Sequence, residues 1–239
     1  MFRFSLFGVP VEIHPWFWIT SAILGGITRA STSEALLAVM VFMVISAFSI
    51  LVHEFGHALV GRRLGGGQAS ILLYSMGGLA YSHGGKFTRS GHFWRIAAGP
   101  GAGFALAFLT VAGLCVLLGP VGGLQVTGRL LFGIKRIAYT EEAFTFLSDY
   151  PQRVEIVYDL LWINFWWSAV NLLPVLPLDG GRIVDLFLKP QRRVYQLGMV
   201  AGILTSLASL FFLRSIYVPM LFGYFAYQNY QAWQSSRWS

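Results

Sequence analysis

The sequence predicts an all-α polytopic membrane protein with about six transmembrane helices, a small N-terminal strand and a re-entrant β-hairpin near a buried site. Two observations support this prediction. Of the 239 residues, 56% are hydrophobic and only 11% are charged, whereas roughly a quarter of the residues in a soluble domain are charged. Long apolar runs also alternate with short gaps that hold most of the charge, which is the pattern of spanning helices and their loops.

The charge distribution excludes one class of partner. The chain carries 17 basic and 10 acidic residues, a net charge of +7, but the basic residues are scattered over the short gaps. They form no patch large enough to bind nucleic acid, so we expect no nucleic-acid partner. The single cysteine, Cys115, lies inside an apolar run, which leaves neither an internal disulfide nor a cysteine-based metal cluster.

The order of patterns along the chain predicts the elements. Alternating apolar residues over 2–13 indicate short strands. Apolar runs predict spanning helices near 16–27, 34–63, 96–118, 160–178, 194–213 and 215–230. The helices over 34–63, 96–118 and 160–178 form the predicted core of a single domain, 1–239. We expect residues 119–159 to lie outside the membrane, with one or two amphipathic helices.

A hairpin is predicted between the second and third spans. Two short apolar bursts flank Gly77 and Gly78 there, and a glycine turn between such bursts is typical of a β-hairpin. The hairpin is expected to dip back into the protein. A surface hairpin is the alternative.

The second predicted span ends in His53-Glu54-Phe55-Gly56-His57, where three ionisable residues follow 18 residues without charge. Positions i and i+4 share one face of a helix, so both imidazoles can bind one metal ion while Glu54 points at a water held there. Ionisable groups are costly in hydrocarbon, which indicates a functional site rather than a chance match or two core histidines. The motif predicts one zinc ion per chain, with an open coordination position.

A third ligand is sought in the fourth span, which is broken by Pro174 and Pro177 just before Asp179. Broken backbone at membrane depth is tolerated where it is buried or lines a cavity, which makes this carboxylate a candidate ligand. With six spans and a cytoplasmic N-terminus, most of the 17 basic residues face the cytoplasm. Asp179 and the histidine motif then lie at one depth near the cytoplasmic face. The alternative roles for Asp179 are a helix cap and a partner of Arg182. The alternative ligands are His14, His83 and His92.

Two motifs together resemble a known family. The run from His53 to His57 and the run Asn171-Leu-Leu-Pro-Val-Leu-Pro-Leu-Asp-Gly-Gly-Arg182, in this order, closely resemble the site-2 protease family of intramembrane zinc metalloproteases. The stretch 7–14 and the Gly99-Pro100 pair look like further signatures. The resemblance covers most of the chain except residues 119–159. Gly103 departs from it, since relatives often carry asparagine there, which bears on packing of the third span and on no ligand.

The resemblance implies a role for each matching residue. His53 and His57 correspond to two zinc ligands, Glu54 to the general base and Asp179 to the third ligand. Residues expected to support the active site or to present a strand edge to the substrate are Asn171, Pro174, Gly77 and Gly78.

The implied activity is hydrolysis of a peptide bond within or near the transmembrane segment of a membrane-bound substrate, as in regulated intramembrane proteolysis. The chain is similar to the compact six-span type without PDZ or CBS modules, such as sporulation-factor-processing proteases. The resemblance implies a multi-pass protein of the cell or inner membrane. Its expected partners are the bilayer, a transmembrane protein substrate and a regulatory membrane protein.

Other classes fit the sequence less well. A non-catalytic zinc-binding protein or a metal transporter is the alternative, but transporters usually carry polar residues along a path through the membrane, and the outer halves of these spans are apolar. An inactive scaffold typically lacks a ligand or the glutamate, and none is missing. The sequence leaves the substrate, the cleavage position and the oligomeric state open.

Overall fold

The structure, a computed structural model, describes residues 1–75, 77–212 and 216–236. The predicted turn at Arg214, between the fifth and sixth spans, and Arg237 lie outside the described residues. The strands are β1 (Phe2–Leu6), β2 (Val9–Ile13), β3 (Gln68–Tyr74) and β4 (Gly77–His83). The helices are α1 (Pro15–Leu24), α2 (Ser33–Gly65), α3 (Arg89–Phe132), α4 (Glu141–Asp149), α5 (Pro151–Trp162), α6 (Ser168–Asn171), α7 (Asp179–Phe187), α8 (Gln191–Phe212) and α9 (Tyr217–Ser235).

Three helices in the described part of the chain are long and apolar enough to cross a membrane, namely Ser33–Gly65, Arg89–Phe132 and Gln191–Phe211. Large apolar side chains project outward from them, and Val116 is 84% exposed and Leu117 75% exposed on α3. Contiguous apolar surface of this kind suits lipid rather than water. The prediction of a mostly helical chain is therefore confirmed, and the three long apolar helices fit insertion into a membrane.

The helix α2 carries the histidine motif and agrees with its predicted range of 34–63. The hydroxyl of Thr32 accepts a hydrogen bond from the Ala35 amide and caps its first turn. Its 33 residues rise about 50 Å, which exceeds the roughly 30 Å of a bilayer core. The helix therefore extends beyond the hydrocarbon, and near its end Arg62 donates hydrogen bonds to the carbonyls of Phe7 and Gly8, between β1 and β2, at 3.0 Å and 3.2 Å.

The third predicted span is longer in the structure than predicted. The span predicted over 96–118 is part of α3, which begins at Arg89 and continues to Phe132 past a kink at Gly119, where φ is 72°. Pro120 follows the kink, and a proline at the first position of a helical segment leaves no amide unpaired. Residues 120–132, predicted to be part of an excursion, are helical.

The first predicted span is shorter in the structure, and the fourth begins earlier than predicted. The helix α1 ends at Leu24, and its 10 residues rise about 15 Å, half of a bilayer core. The fourth helical stretch starts earlier than predicted, at Pro151, passes through a π-helical turn at Ile163–Trp167 and ends at Asn171. Residues 172–178 are irregular because Pro174 and Pro177 lack the amide that a continued helix needs.

The strands form one four-stranded sheet in the order β1-β2-β3-β4. β1 pairs antiparallel with β2, β2 pairs parallel with β3, and β3 pairs antiparallel with β4. The predicted N-terminal strands and the hairpin are both present, but their union in one sheet was not foreseen. The buried residues of β2 and β3 pack against Phe55 and Ala58 of α2. The sheet therefore lies on the helix that carries the histidine motif.

Candidate metal centre

Three potential ligand atoms meet between α2 and α7. The Nε2 atom of His53 lies 3.1 Å from the Nε2 atom of His57, and each lies 3.2 Å from the Oδ2 atom of Asp179. His53 and Asp179 are 4% and 5% exposed. Within the described residues this is the one group of three that could hold a metal ion.

The spacing of these atoms fits one metal ion. Zinc ligands of this type lie about 2.0–2.2 Å from the ion in a tetrahedral arrangement, which puts neighbouring ligand atoms about 3.3 Å apart. The three distances of 3.1 Å and 3.2 Å match this value. A buried carboxylate between two imidazoles is also the donor chemistry that zinc prefers.

Helix geometry and a tight loop deliver the three side chains. His53 and His57 are one turn apart on one face of α2, as predicted. Asp179 is the first residue of α7, and the cap position is held by Leu178 without a side-chain hydrogen bond. The capping role considered for Asp179 is therefore absent. Its Oδ1 atom lies 3.9 Å from Arg182, so the carboxylate faces the arginine on one side and the imidazoles on the other.

Helix α3 holds the imidazole of His57. The Nδ1 atom of this ring donates to the carbonyl of Arg95, 2.9 Å away, which leaves Nε2 free to bind a metal. Gly99 lies against the ring, since a Cβ atom at position 99 would be 2.1 Å from Nε2. The Nδ1 atom of His53 is buried and has no hydrogen-bond partner among the described residues.

Glu54 is buried beside the same centre. It is 5% exposed, and a Cβ atom at position 78 would come within 2.6 Å of its Oε1 atom. The backbone of β4 therefore packs on the carboxyl group. Glu54 follows His53 on α2 and is not one of the three residues whose ligand atoms converge.

The remaining predicted support residues are Gly77, Asn171 and Pro174. Gly77 lies near Trp167. A Cβ atom at position 77 would be 3.8 Å from the Trp167 ring, which is an ordinary van der Waals contact. Asn171 donates to the carbonyl of Trp167 at 2.9 Å, within its own helical stretch. Pro174 lies in the irregular segment 172–178 that leads to Asp179.

The alternative histidine ligands are placed elsewhere. His14 caps α1 by accepting a hydrogen bond from the Trp16 amide. His92 packs against the Phe87 ring, with the centroids 4.9 Å apart, and His83 ends β4. None of the three belongs to the ligand group.

The sequence did not predict that α3 supplies the hydrogen-bond acceptor of His57. The Arg95 carbonyl gives no sequence signal, because any residue supplies a carbonyl. The small residues after Ile96 did predict close helix packing, and Gly103 follows this logic. A Cβ atom at position 103 would lie 2.1 Å from the Ser168 hydroxyl, so glycine at this position lets α6 approach α3.

The fold and the site define a class of membrane protein with a two-histidine, one-carboxylate centre. A solved structure titled "Site-2 Protease from Methanocaldococcus jannaschii" shares this fold, with a TM-score of 0.56 and 23% identity over 95% of this chain and 94% of that chain. A curated relative from the same organism, named a zinc metalloprotease, is 25% identical over 187 residues. This alignment covers 77% of this chain and 44% of the relative, so the chain spans less than half the length of that relative.

The family model described as "Peptidase family M50" matches residues 39–213, which include all three potential ligands and Glu54. The chain belongs to this family of site-2 proteases.

Proposed function

We propose that the chain is an intramembrane zinc metalloendopeptidase that binds one zinc ion through His53, His57 and Asp179. The observation that carries this proposal is the triangle of ligand atoms, 3.1–3.2 Å on each side, with Glu54 buried next to it. Family membership and the name of the curated relative support it. Zinc, when bound, supplies Lewis-acid chemistry that polarises a carbonyl group and lowers the pKa of a water molecule.

The carboxylate of Glu54 is proposed as the general base. It takes a proton from the attacking water and delivers it to the amine nitrogen as the peptide C–N bond breaks. Its burial under β4 excludes bulk water and restricts the motion of the side chain. The carboxylate is therefore held in the orientation that proton transfer needs. The His57–Arg95 hydrogen bond keeps the second imidazole in the orientation that binding requires.

The proposed substrate is a transmembrane protein whose helix unwinds locally at the scissile bond. Amide groups released by unwinding need partners in an apolar environment. The strand β4 is at the edge of the sheet and lies against Glu54, so an extended substrate segment that pairs with this edge reaches the general base. This arrangement supports the role of the hairpin as a re-entrant element.

The proposed topology is one domain, residues 1–239, with six spans in the cell or inner membrane. Three spans correspond to the long helices α2, α3 and α8. Two others are proposed for the stretch 151–171 and for α9, whose 19 residues rise about 28 Å. The sixth is proposed for residues 15–29, which add a short 3₁₀ turn to the 10 residues of α1. The distribution of basic residues supports a cytoplasmic N-terminus and a centre near that face. A regulatory membrane protein is a further proposed partner.

Co-expression with a panel of single-span membrane regulators tests the proposed activity. We expect the wild-type chain to cleave at least one regulator and Glu54→Gln to cleave none, with equal zinc content in both proteins. Full zinc content without cleavage in either protein would instead favour a non-catalytic zinc-binding protein or a transporter. Equal cleavage by both would remove Glu54 from the mechanism.

A further inference from the structure

The irregular segment 172–178 places Asp179 at the metal centre, and its backbone needs polar partners. The segment contains two prolines and separates α6 from α7. A carbonyl in such a segment has no helical partner, and an unpaired carbonyl is costly in an apolar environment. The carbonyl of Leu176 has a partner from a distant helix, since it accepts a hydrogen bond from the Nδ2 atom of Asn229 at 2.7 Å.

We propose that Asn229 of α9 is a positioning residue for Asp179. It holds the segment 172–178 in the conformation that brings the carboxylate to the two imidazoles. This role rests on the proposed function, because it assumes that Asp179 is a metal ligand. It assigns to α9, which contributes no ligand, a part in forming the centre.

The amide of Asn229 is fixed in one orientation. The residue is 2% exposed, and its Nδ2 atom also donates to the carbonyl of Phe225 at 2.8 Å. Both Nδ2 hydrogens are thus used, and the reversed amide would place its oxygen against two carbonyl oxygens. Gly198 of α8 lies behind the amide, where a Cβ atom would be 2.3 Å from Oδ1. Helix α8 therefore leaves no room behind the amide for it to move away from the segment.

The segment passes this constraint directly to the first turn of α7. A Cβ atom at Gly181 would lie 2.6 Å from the Leu176 amide nitrogen, and one at Gly180 would lie 2.1 Å from the Leu172 carbonyl oxygen. The segment and the two glycines are therefore in backbone contact immediately after Asp179. Any shift of Leu176 must shift the start of α7, and with it the Oδ2 atom that lies 3.2 Å from both imidazoles.

A matched control separates positioning from helix packing. The hydroxyl of Ser206 in α8 donates to the carbonyl of Pro219 in α9 at 2.8 Å. This hydrogen bond joins the same two helices but does not contact the segment 172–178. Ser206→Ala therefore weakens the packing of α8 and α9 and leaves the support of Leu176 in place.

The test compares wild type, Asn229→Leu and Ser206→Ala in detergent. Leucine has the same branched arrangement of side-chain heavy atoms as asparagine and no donor. We expect Asn229→Leu to lower zinc affinity about 10-fold to 100-fold, as outer-shell partners of metal ligands do, and to change the visible absorption spectrum of the Co²⁺-substituted protein. Ser206→Ala should keep the wild-type affinity and spectrum. If Asn229→Leu does not fold, the same measurements are made on Asn229→Ala.

Zinc affinity and a Co²⁺ spectrum that match wild type in the folded Asn229 variant would overturn the positioning role. An equal loss of affinity in Ser206→Ala would also overturn it, because the effect would then come from helix packing. These outcomes are distinct from failure of the proposed function. A wild-type chain that binds zinc but cleaves no substrate contradicts the protease and leaves the Asn229 result intact, whereas a wild-type chain that binds no zinc contradicts both.

Discussion

Gly78 of β4 lies directly against the side chain of Glu54, and a Cβ atom at position 78 would come within 2.3 Å of Glu54 Cγ. The edge strand and the proposed general base are therefore in contact through a residue that has no side chain. A substrate strand added to this edge would run past the carboxyl group. Strand β4, the proposed substrate-binding element, therefore meets Glu54, the proposed general base, at the backbone of Gly78.

The Gly78→Ala variant should lose activity while keeping its metal. The added methyl group displaces Glu54 or β4 by a distance on the order of 1 Å, and such misplacement can cost about 10²-fold in rate. Zinc content should match wild type because no ligand is touched. Cleavage rate and elemental analysis of the same preparation check this expectation. The matched change is Gly77→Ala, which adds a methyl group with an ordinary 3.8 Å contact and should have a much smaller effect. Equal losses in both variants would contradict the contact argument.

Gly99→Ala should weaken metal binding through His57. A methyl group at position 99 would lie 2.1 Å from the Nε2 atom of this imidazole, so the ring must turn away from the ligand position. We expect zinc affinity to fall at least 10-fold, the lower end of the range for disturbed outer-shell support. Isothermal titration of the metal-free protein measures this affinity. Gly101→Ala is the control on the same helix, since among the described residues no atom outside its own stretch of helix lies within 4 Å of a Cβ atom there. Wild-type affinity in Gly99→Ala would show that the ring has room to adapt.

Asp179→Asn should lose both zinc affinity and cleavage. An amide oxygen carries no charge, so it replaces a carboxylate poorly as a zinc ligand. The expected loss of affinity is 10-fold to 100-fold or more. Zinc affinity and turnover are measured together in this one variant. If both survive, the role of Asp179 is limited to its 3.9 Å approach to Arg182.

Removal of the metal should lower thermal stability. The proposed zinc links α2 to α7, and a ligand present at 100 times its Kd stabilises the folded state by about 2.7 kcal/mol. Chelation of wild-type protein should therefore lower Tm, and Glu54→Gln should respond equally because it keeps all three ligands. The double variant His53→Ala, His57→Ala should show no response to the chelator. Full zinc retention by this double variant would contradict the assignment of His53 and His57 as ligands.

The motif helix was the most predictable part of the molecule. A charge-free run that ends in two histidines at i and i+4 predicts a helix, and its lack of charge predicts that this helix lies in a membrane. The strands and the hairpin were also recognisable from alternation and glycine. Their parallel union through Val11 and Ile71 was not, because pairing between distant strands depends on how α1 and α2 return the chain to the sheet.

Irregularities of the helical backbone, and contacts between groups far apart in sequence, were the least predictable features. The end of the fourth helical stretch at Asn171 follows from two prolines further on, but the π-helical turn that precedes it has no distinctive composition. The same holds for the support of His57 and Leu176. Their partners, the Arg95 carbonyl and the Asn229 amide, lie far away in sequence, and helix packing alone brings them close.

The distance along the chain between the ligands has a consequence for biosynthesis. His57 precedes Asp179 by 122 residues, which a ribosome takes roughly 10 s to translate at ordinary rates. Helix α2 therefore leaves the ribosome and can enter the bilayer with two imidazoles well before the third ligand has been made. A chain that stalls before α7 lacks the third proposed ligand, so the proposed peptidase activity arises only after most of the helices have been synthesised.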